Sequence, residues 1–141
     1  MEPHIYHLNR FARFFYCAMG LALMGMGAWA VFQMGSWALV LALPFGALGI
    51  YWCRRAICSC LTLTDTEISV RYASDEDSAK LSDIEGWRMD GGGNTGPYWV
   101  LQIRDSSDTL RIEQNFAVDD FFLDFISKLR NLNELEMSVV P

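Results

Sequence analysis

An uncharged apolar stretch at residues 14–34 constrains the fold of this chain more than any other feature of its sequence. Its 21 residues would form a helix of about 31 Å, which matches the hydrocarbon thickness of about 30 Å in a membrane. A second uncharged stretch, at residues 37–53, has 17 residues, which is the lower end of the spanning range. Only Gly35 and Ser36 separate the two stretches, so the sequence predicts a tight transmembrane helical hairpin.

Four arginines flank this predicted hairpin and indicate its orientation. Arg10 and Arg13 precede the first helix, Arg54 and Arg55 follow the second, and the turn between the helices carries no basic residue. Because basic residues concentrate on the cytoplasmic side of membrane proteins, we expect both termini in the cytoplasm. Residues 1–13 are then a cytoplasmic N-terminal segment, and the protein is a multi-pass protein of the inner (cytoplasmic) membrane.

Two features of the apolar stretches leave alternatives open. Residues 28–30, Ala-Trp-Ala, have the small-x-small spacing of a signal-peptide cleavage site, but the apolar Val31 and Phe32 follow where a cleavage region turns polar. Retention of the segment is therefore favoured.

Small residues, among them Gly20 and Gly46, allow helix backbones to approach closely. They serve either the contact between the two helices or docking against helices of a larger membrane complex.

The rest of the chain differs in charge and in periodicity. Residues 1–60 carry a formal charge of +3, from four basic residues and one acidic residue, whereas residues 61–141 carry −9, from seven basic and sixteen acidic residues. The acidic half argues against binding to nucleic acid, which requires a basic face. Its apolar residues recur with period two as far as Glu113 and at helical spacings from Val118 onward, so we expect an antiparallel meander followed by one amphipathic helix.

Alternation and turn residues set the expected boundaries of this meander of about six or seven strands. Expected strands are 61–64, 67–72, 79–81, 84–89, 98–104 and 109–113, with the acidic cluster at 74–78 as a solvated turn and the glycine-rich tract at 91–97 as a loop. The domain is therefore placed at 58–133, before a C-terminal tail at 134–141.

The run Leu81-Ser82-Asp83-Ile84, followed by an aromatic strand, in a meander closed by one C-terminal helix, resembles the pleckstrin-homology-like (PH-like) domains of bacteria, which often follow a two-helix hairpin. The resemblance implies a small bacterial inner-membrane protein with a transmembrane α-helical hairpin and a cytoplasmic α+β PH-like domain. Phosphoinositide-binding members use a basic first hairpin loop, whereas Asp65 and the cluster at 74–78 are acidic here. Because an anionic membrane surface repels acidic residues, we expect protein recognition rather than phosphoinositide binding.

The sequence contains no recognisable catalytic constellation. Its only histidines, His4 and His7, precede the first apolar stretch, so no nucleophile, base and orienting partner can be assembled, and we predict a non-enzymatic protein without a cofactor. With cytoplasmic termini the cysteines are expected to be reduced thiols. His4 and His7 with Cys58 and Cys60 offer a tetrahedral zinc set beside the membrane, but buried thiols and interfacial histidines are the simpler interpretation, and no metal is predicted.

Aromatic residues in the predicted strands are the remaining candidates for a functional surface. Trp87, Tyr98 and Trp99 belong to this group, because aromatic side chains anchor many protein interfaces, although we expect at least one of them in the core. The sequence therefore predicts an accessory, assembly or regulatory subunit of an inner-membrane complex, which binds an integral membrane protein or another copy of itself. The alternative is a membrane-surface binder or sensor of lipid or of a metal ion.

Overall fold

The computed structural model describes residues 3–73, 75–91 and 97–132, apart from the side chain of Leu41. The chain divides into two compact units. The sheet domain contains the residues up to His7 and most of the chain from Cys60 onward, and the helix pair contains Leu8–Ser59 with Tyr72–Asp75. The helices are α1 (Arg10–Met34), α2 (Leu39–Cys58) and α3 (Asp120–Lys128), and the strands are β1 (His4–His7), β2 (Cys60–Leu63), β3 (Glu67–Tyr72), β4 (Asp75–Lys80), β5 (Ile84–Gly91), β6 (Pro97–Ile103) and β7 (Thr109–Glu113).

Helix α1 is the apolar helix that the sequence predicts, extended at its N-terminus. It begins after Asn9, whose side-chain oxygen accepts a hydrogen bond from the Ala12 N–H at 2.7 Å, an N-cap that satisfies one of the free donors of the first turn. It ends at Met34, and the capping residue Gly35 has a φ of +81° that glycine adopts without strain. Within the described part of the chain, α1 is the one helix both long enough and apolar enough to cross a membrane.

A single 3-10 turn at Ser36–Ala38 joins α1 to α2. Glycines form the contact between these two helices. A Cβ placed on Gly20 would lie 2.7 Å from the Gly49 carbonyl oxygen, and a Cβ on Gly27 would lie 3.2 Å from the Ala42 carbonyl oxygen. Contacts move backward along α2 as they move forward along α1, so the two helices are antiparallel. Gly20 therefore serves the contact between these helices, one of the two uses expected for the small residues.

Within the described residues, seven strands form two antiparallel sheets, in the orders β1-β2-β3-β4 and β5-β6-β7. The expected antiparallel meander with a C-terminal helix is therefore confirmed at the level of an α+β layout. The inner faces of both sheets supply most of the core, and α3 covers it with Phe122, which is fully buried. Its ring meets those of Tyr6 and Trp99 edge-on, at centroid distances of 5.6 and 5.5 Å.

Strand β1 was not expected from the sequence. Its residues fall in the segment 1–13, yet they pair antiparallel with β2, with His4 opposite Leu63 and His7 opposite Cys60. The chain therefore leaves the first sheet at the end of β1, forms α1 and α2, and re-enters the same sheet in the neighbouring strand.

Strand β4 occupies most of the acidic cluster that the sequence predicts to be a turn. The turn itself is short and contains Ala73, whose φ is +53°, and the ladder with β3 continues through the acidic residues because their side chains are exposed on an outer strand. An ion pair between Arg71 and Glu76 also joins β3 to β4. Residues 92–96 of the predicted glycine-rich loop and the predicted tail at 134–141 lie outside the described residues.

Candidate functional site

The four arginines that predict the orientation lie at one end of the helix pair. Arg10 and Arg13 are in the first turn of α1, and Arg54 and Arg55 are in the last turns of α2. The Arg13 Nε–H donates a hydrogen bond to the Ala56 carbonyl oxygen at 3.3 Å, which holds the start of α1 against the end of α2. Four positive charges are therefore concentrated at this end, whereas the 3-10 turn at the opposite end carries none.

Arg55 stands at the centre of an arginine–aromatic cluster that also contains Tyr16, Trp52 and Tyr72. Its guanidinium carbon lies 5.5, 5.8 and 5.2 Å from the centroids of these three rings, in that order. Such distances allow cation–π attraction. Tyrosine and tryptophan are typical of the membrane–water interface, where an arginine can keep its charged end hydrated. The cluster therefore combines, at one end of the helix pair, the residue types that are typical of such an interface.

The three aromatic residues considered as candidates for a partner surface lie on different faces of the second sheet. Trp99 is 8% exposed and belongs to the core, so it is the aromatic residue that we expected to find there. Trp87 lies opposite Leu101, and because side chains alternate along a strand it shares the face of Trp99 and is half-buried. Tyr98 points to the opposite face of the same sheet.

The histidines and cysteines considered for zinc are placed on different faces and elements. The His4 ring stacks on Phe121 with centroids 4.3 Å apart, whereas His7, three positions further along β1, points to the opposite face of the sheet. His7 is the cross-strand neighbour of Cys60, and Cys58 belongs to α2. Among the residues that the structure describes, no group of three or more His, Cys, Asp or Glu side chains could hold a metal ion.

A hydrogen-bonded link between β1 and α3 was missed by the sequence analysis. The Tyr6 hydroxyl donates to Asp119 Oδ1 at 2.8 Å across 113 positions of the chain, and the same oxygen accepts the Phe122 N–H at 3.0 Å as the N-cap of α3. The pKa of Asp119 is lowered, first by the hydrogen bond from the Phe122 N–H and then by the one from the Tyr6 hydroxyl. The charge of His4 makes a smaller contribution in the same direction. Burial and the hydrogen bond to Asp119 raise the pKa of Tyr6. The sequence signalled only the acidic first turn of α3.

No family model, no curated protein and no solved structure matches this chain.

Proposed function

We propose that this chain is a non-enzymatic, membrane-anchored interaction module and an accessory, assembly or regulatory subunit of an inner-membrane protein complex. In this proposal α1 and α2 cross the membrane as a hairpin, both termini lie in the cytoplasm, and the sheet domain binds a protein there. A PH-like fold for that domain agrees with two antiparallel sheets of four and three strands followed by a C-terminal helix.

The pairing of β1 with β2 is the observation that carries the proposal. His7 lies opposite Cys60 in one sheet, and the chain between these two residues contains both helices. A membrane cannot divide a hydrogen-bonded sheet, so a chain that crosses the membrane in α1 must cross back before Cys60. The helix available for the return is α2, whose uncharged part is near the minimum spanning length.

The outer surfaces of both helices favour burial in lipid. Only 11% of the most apolar window of α1 is buried within the chain. Phe32 is 85% exposed and Val40 is 76% exposed, one on each helix. Continuous apolar surfaces of this kind mark contacts with membranes or with other proteins.

The position of β1 also supports retention of the N-terminal segment. Cleavage after Ala30, the alternative raised by the sequence, would remove β1 together with the hydrogen bond between Tyr6 and Asp119. It would also uncover the edge of β2. A sheet that uses residues 4–7 is therefore hard to reconcile with a cleaved signal peptide.

Cysteine accessibility in spheroplasts tests the membrane arrangement. In a variant whose four native cysteines are alanine, Ser36→Cys places a thiol in the turn between the helices and Ser107→Cys places one in the sheet domain, both at exposed positions. A membrane-impermeant maleimide should label the first in intact spheroplasts and the second only after permeabilisation. Labelling of Ser107→Cys from outside, or of neither site before permeabilisation, would refute the hairpin.

Co-purification tests the role as a subunit. The full chain, expressed at its native level and extracted into lipid nanodiscs, should bring an integral membrane protein with it in a fixed ratio, as measured by quantitative mass spectrometry. The alternative function, a membrane-surface binder of lipid, is supported by the arginine–aromatic cluster. Recovery of the chain with a bound anionic lipid and with no protein partner would favour that alternative and contradict the subunit proposal.

A further inference from the structure

Two open cavities lie beside β4 in the sheet domain. These cavities, of about 260 and 330 Å³, adjoin each other between β4 and the end of β6. Ser78 and Ile103 belong to the lining of both cavities, and we name the two adjoining cavities together the β4 groove.

The edge of β4 that faces away from β3 is not occupied by any other described strand. β4 is the outermost strand of its sheet and has β3 as its one neighbour in the described part of the chain. The Leu81 N–H donates to the Thr66 carbonyl oxygen at 2.9 Å, where the β3–β4 ladder ends. Because hydrogen-bonded positions alternate along an antiparallel pair, the N–H groups of Ser78 and Lys80 point away from β3. An open edge of this kind accepts an added strand.

The charge of the β4 groove determines which strand it can accept. Carboxylates from separate elements line it, namely Glu67, Asp77, Asp83 and Asp108, and Lys80 is the one basic residue among its described lining residues. None of the four carboxylates forms an ion pair within the described residues. A strand with basic side chains would neutralise these charges, whereas an acidic strand would be repelled.

We propose that the β4 groove binds an extended, Lys/Arg-rich segment of an integral membrane protein, which pairs with β4 as an added strand. The inference rests on the proposed function and names the chemistry of its partner. Lys/Arg-rich segments flank transmembrane helices on the cytoplasmic side, the side on which the sheet domain is proposed to lie. Anionic lipid headgroups are repelled by the same carboxylates, so the groove selects protein over lipid.

Binding of designed peptides to the full chain tests the proposal. The probe is a fluorescein-labelled peptide of alternating lysine and valine, long enough to pair with the six residues of β4, and the chain is held in nanodiscs of zwitterionic lipid. Fluorescence anisotropy should show saturable binding that weakens with salt. A glutamate–valine peptide should not bind, and a lysine peptide in which proline replaces two valines should bind about tenfold more weakly, because proline cannot donate to the ladder.

Variants of the groove separate local recognition from net charge. The double variant Asp77→Lys, Asp108→Lys should weaken binding by about tenfold or more. The matched control Glu85→Lys, Asp90→Lys makes the same change in net charge at exposed residues of β5 outside the groove, and it should weaken binding by less than about threefold. Ser78→Pro removes an outward N–H and should also weaken binding, whereas Ser78→Ala should not. Each variant is first checked for an unchanged unfolding midpoint.

Equal losses in the two charge-reversal variants, or equal affinity for the valine and proline peptides, would overturn the proposal. The first result would mean attraction by net charge alone, and the second would mean that no strand is added. Failure of the peptide assay in a chain that passes the cysteine-labelling test would refute this inference and leave the membrane arrangement intact. Labelling of the sheet domain from outside would refute the membrane arrangement, whatever the peptides do.

Discussion

The contact between α1 and α2 should not accept a single methyl group at Gly49. A Cβ there would lie 2.6 Å from the Gly20 carbonyl oxygen and 2.6 Å from the Met24 Cγ. A carbon and a carbonyl oxygen in favourable contact are about 3.3–3.6 Å apart. The Met24 side chain can rotate away, but the backbone oxygen can move only with its helix. Gly49→Ala therefore requires the two helices to separate locally by roughly 0.7 Å, the difference between these distances.

The expected size of the effect comes from comparison with a second glycine of the same helix. Overpacking of a close contact destabilises by about 1–3 kcal/mol, while alanine is intrinsically better than glycine in a helix by about 0.8–1 kcal/mol. At Gly46 a Cβ would meet no atom of the described residues within 4 Å, so Gly46→Ala keeps the gain in helix propensity and avoids the overpacking. The free energy of unfolding should therefore be lower in Gly49→Ala than in Gly46→Ala by about 1–3 kcal/mol.

Unfolding of the full chain in one detergent, followed by tryptophan fluorescence, measures this difference. The reactivity of Cys53 gives an independent reading, because this half-buried residue places its Sγ at the helix contact, 2.6 Å from where a Cβ of Gly20 would be. In a variant that retains only this cysteine, Gly49→Ala should speed its alkylation and Gly46→Ala should not. Equal stability and equal alkylation rates in the two variants would refute the glycine contact.

Further predictions concern the sheet domain. Tyr6→Phe should lower the free energy of unfolding by about 1 kcal/mol, the usual net contribution of a hydrogen bond, as measured by urea denaturation at neutral pH. Folding lowers the pKa of Asp119, so its carboxylate stabilises the fold at any pH above the ordinary aspartate pKa. This stabilisation is lost as the pH falls through the lowered value, and there the free energies of unfolding of wild type and Tyr6→Phe should converge. Gly86→Ala would place a Cβ 2.5 Å from the Arg130 carbonyl oxygen and should speed hydrogen exchange of β5 amides. Gly91→Ala, whose Cβ would meet no described residue within 4 Å, should leave their exchange unchanged.

The elements that were predicted correctly are those whose signal is local. The apolar side chains of α3 recur at helical spacing within nine residues, and β3 and β7 alternate within their own length. Strand β1 has only four residues, and its stability comes from pairing with β2 and from the contact of Tyr6 with Asp119. The periodicity of a few neighbouring residues cannot reveal that β1 pairs with β2, because two helices separate these strands in the sequence.

The acidic strand β4, which the sequence predicts to be a turn, and the choice of face for each aromatic residue both depend on neighbouring elements. Aspartate and glutamate are poor strand formers, so an acidic run indicates a turn unless a neighbouring strand is already in place, as β3 is here. For the aromatic residues, alternation alone places Tyr98 and Trp99 on opposite faces. Which face is buried depends on where α3 packs, and that packing, through Phe122, brings Trp99 into the core.

The long-range pairing of β1 with β2, which the sequence does not predict, also links folding of the sheet domain to the proposed insertion of the two helices into the membrane. β1 is synthesised before α1, and its partner β2 comes after α2, so the first sheet cannot close until both helices have been made. If α1 and α2 cross the membrane as proposed, β1 and β2 reach the same side only when both crossings are complete. A chain that crosses once has Tyr6 on one side and Asp119 on the other, so it lacks both the edge strand and the hydrogen bond that joins it to α3. Folding of the sheet domain is then conditional on correct membrane insertion, because an incorrectly inserted chain cannot complete the first sheet.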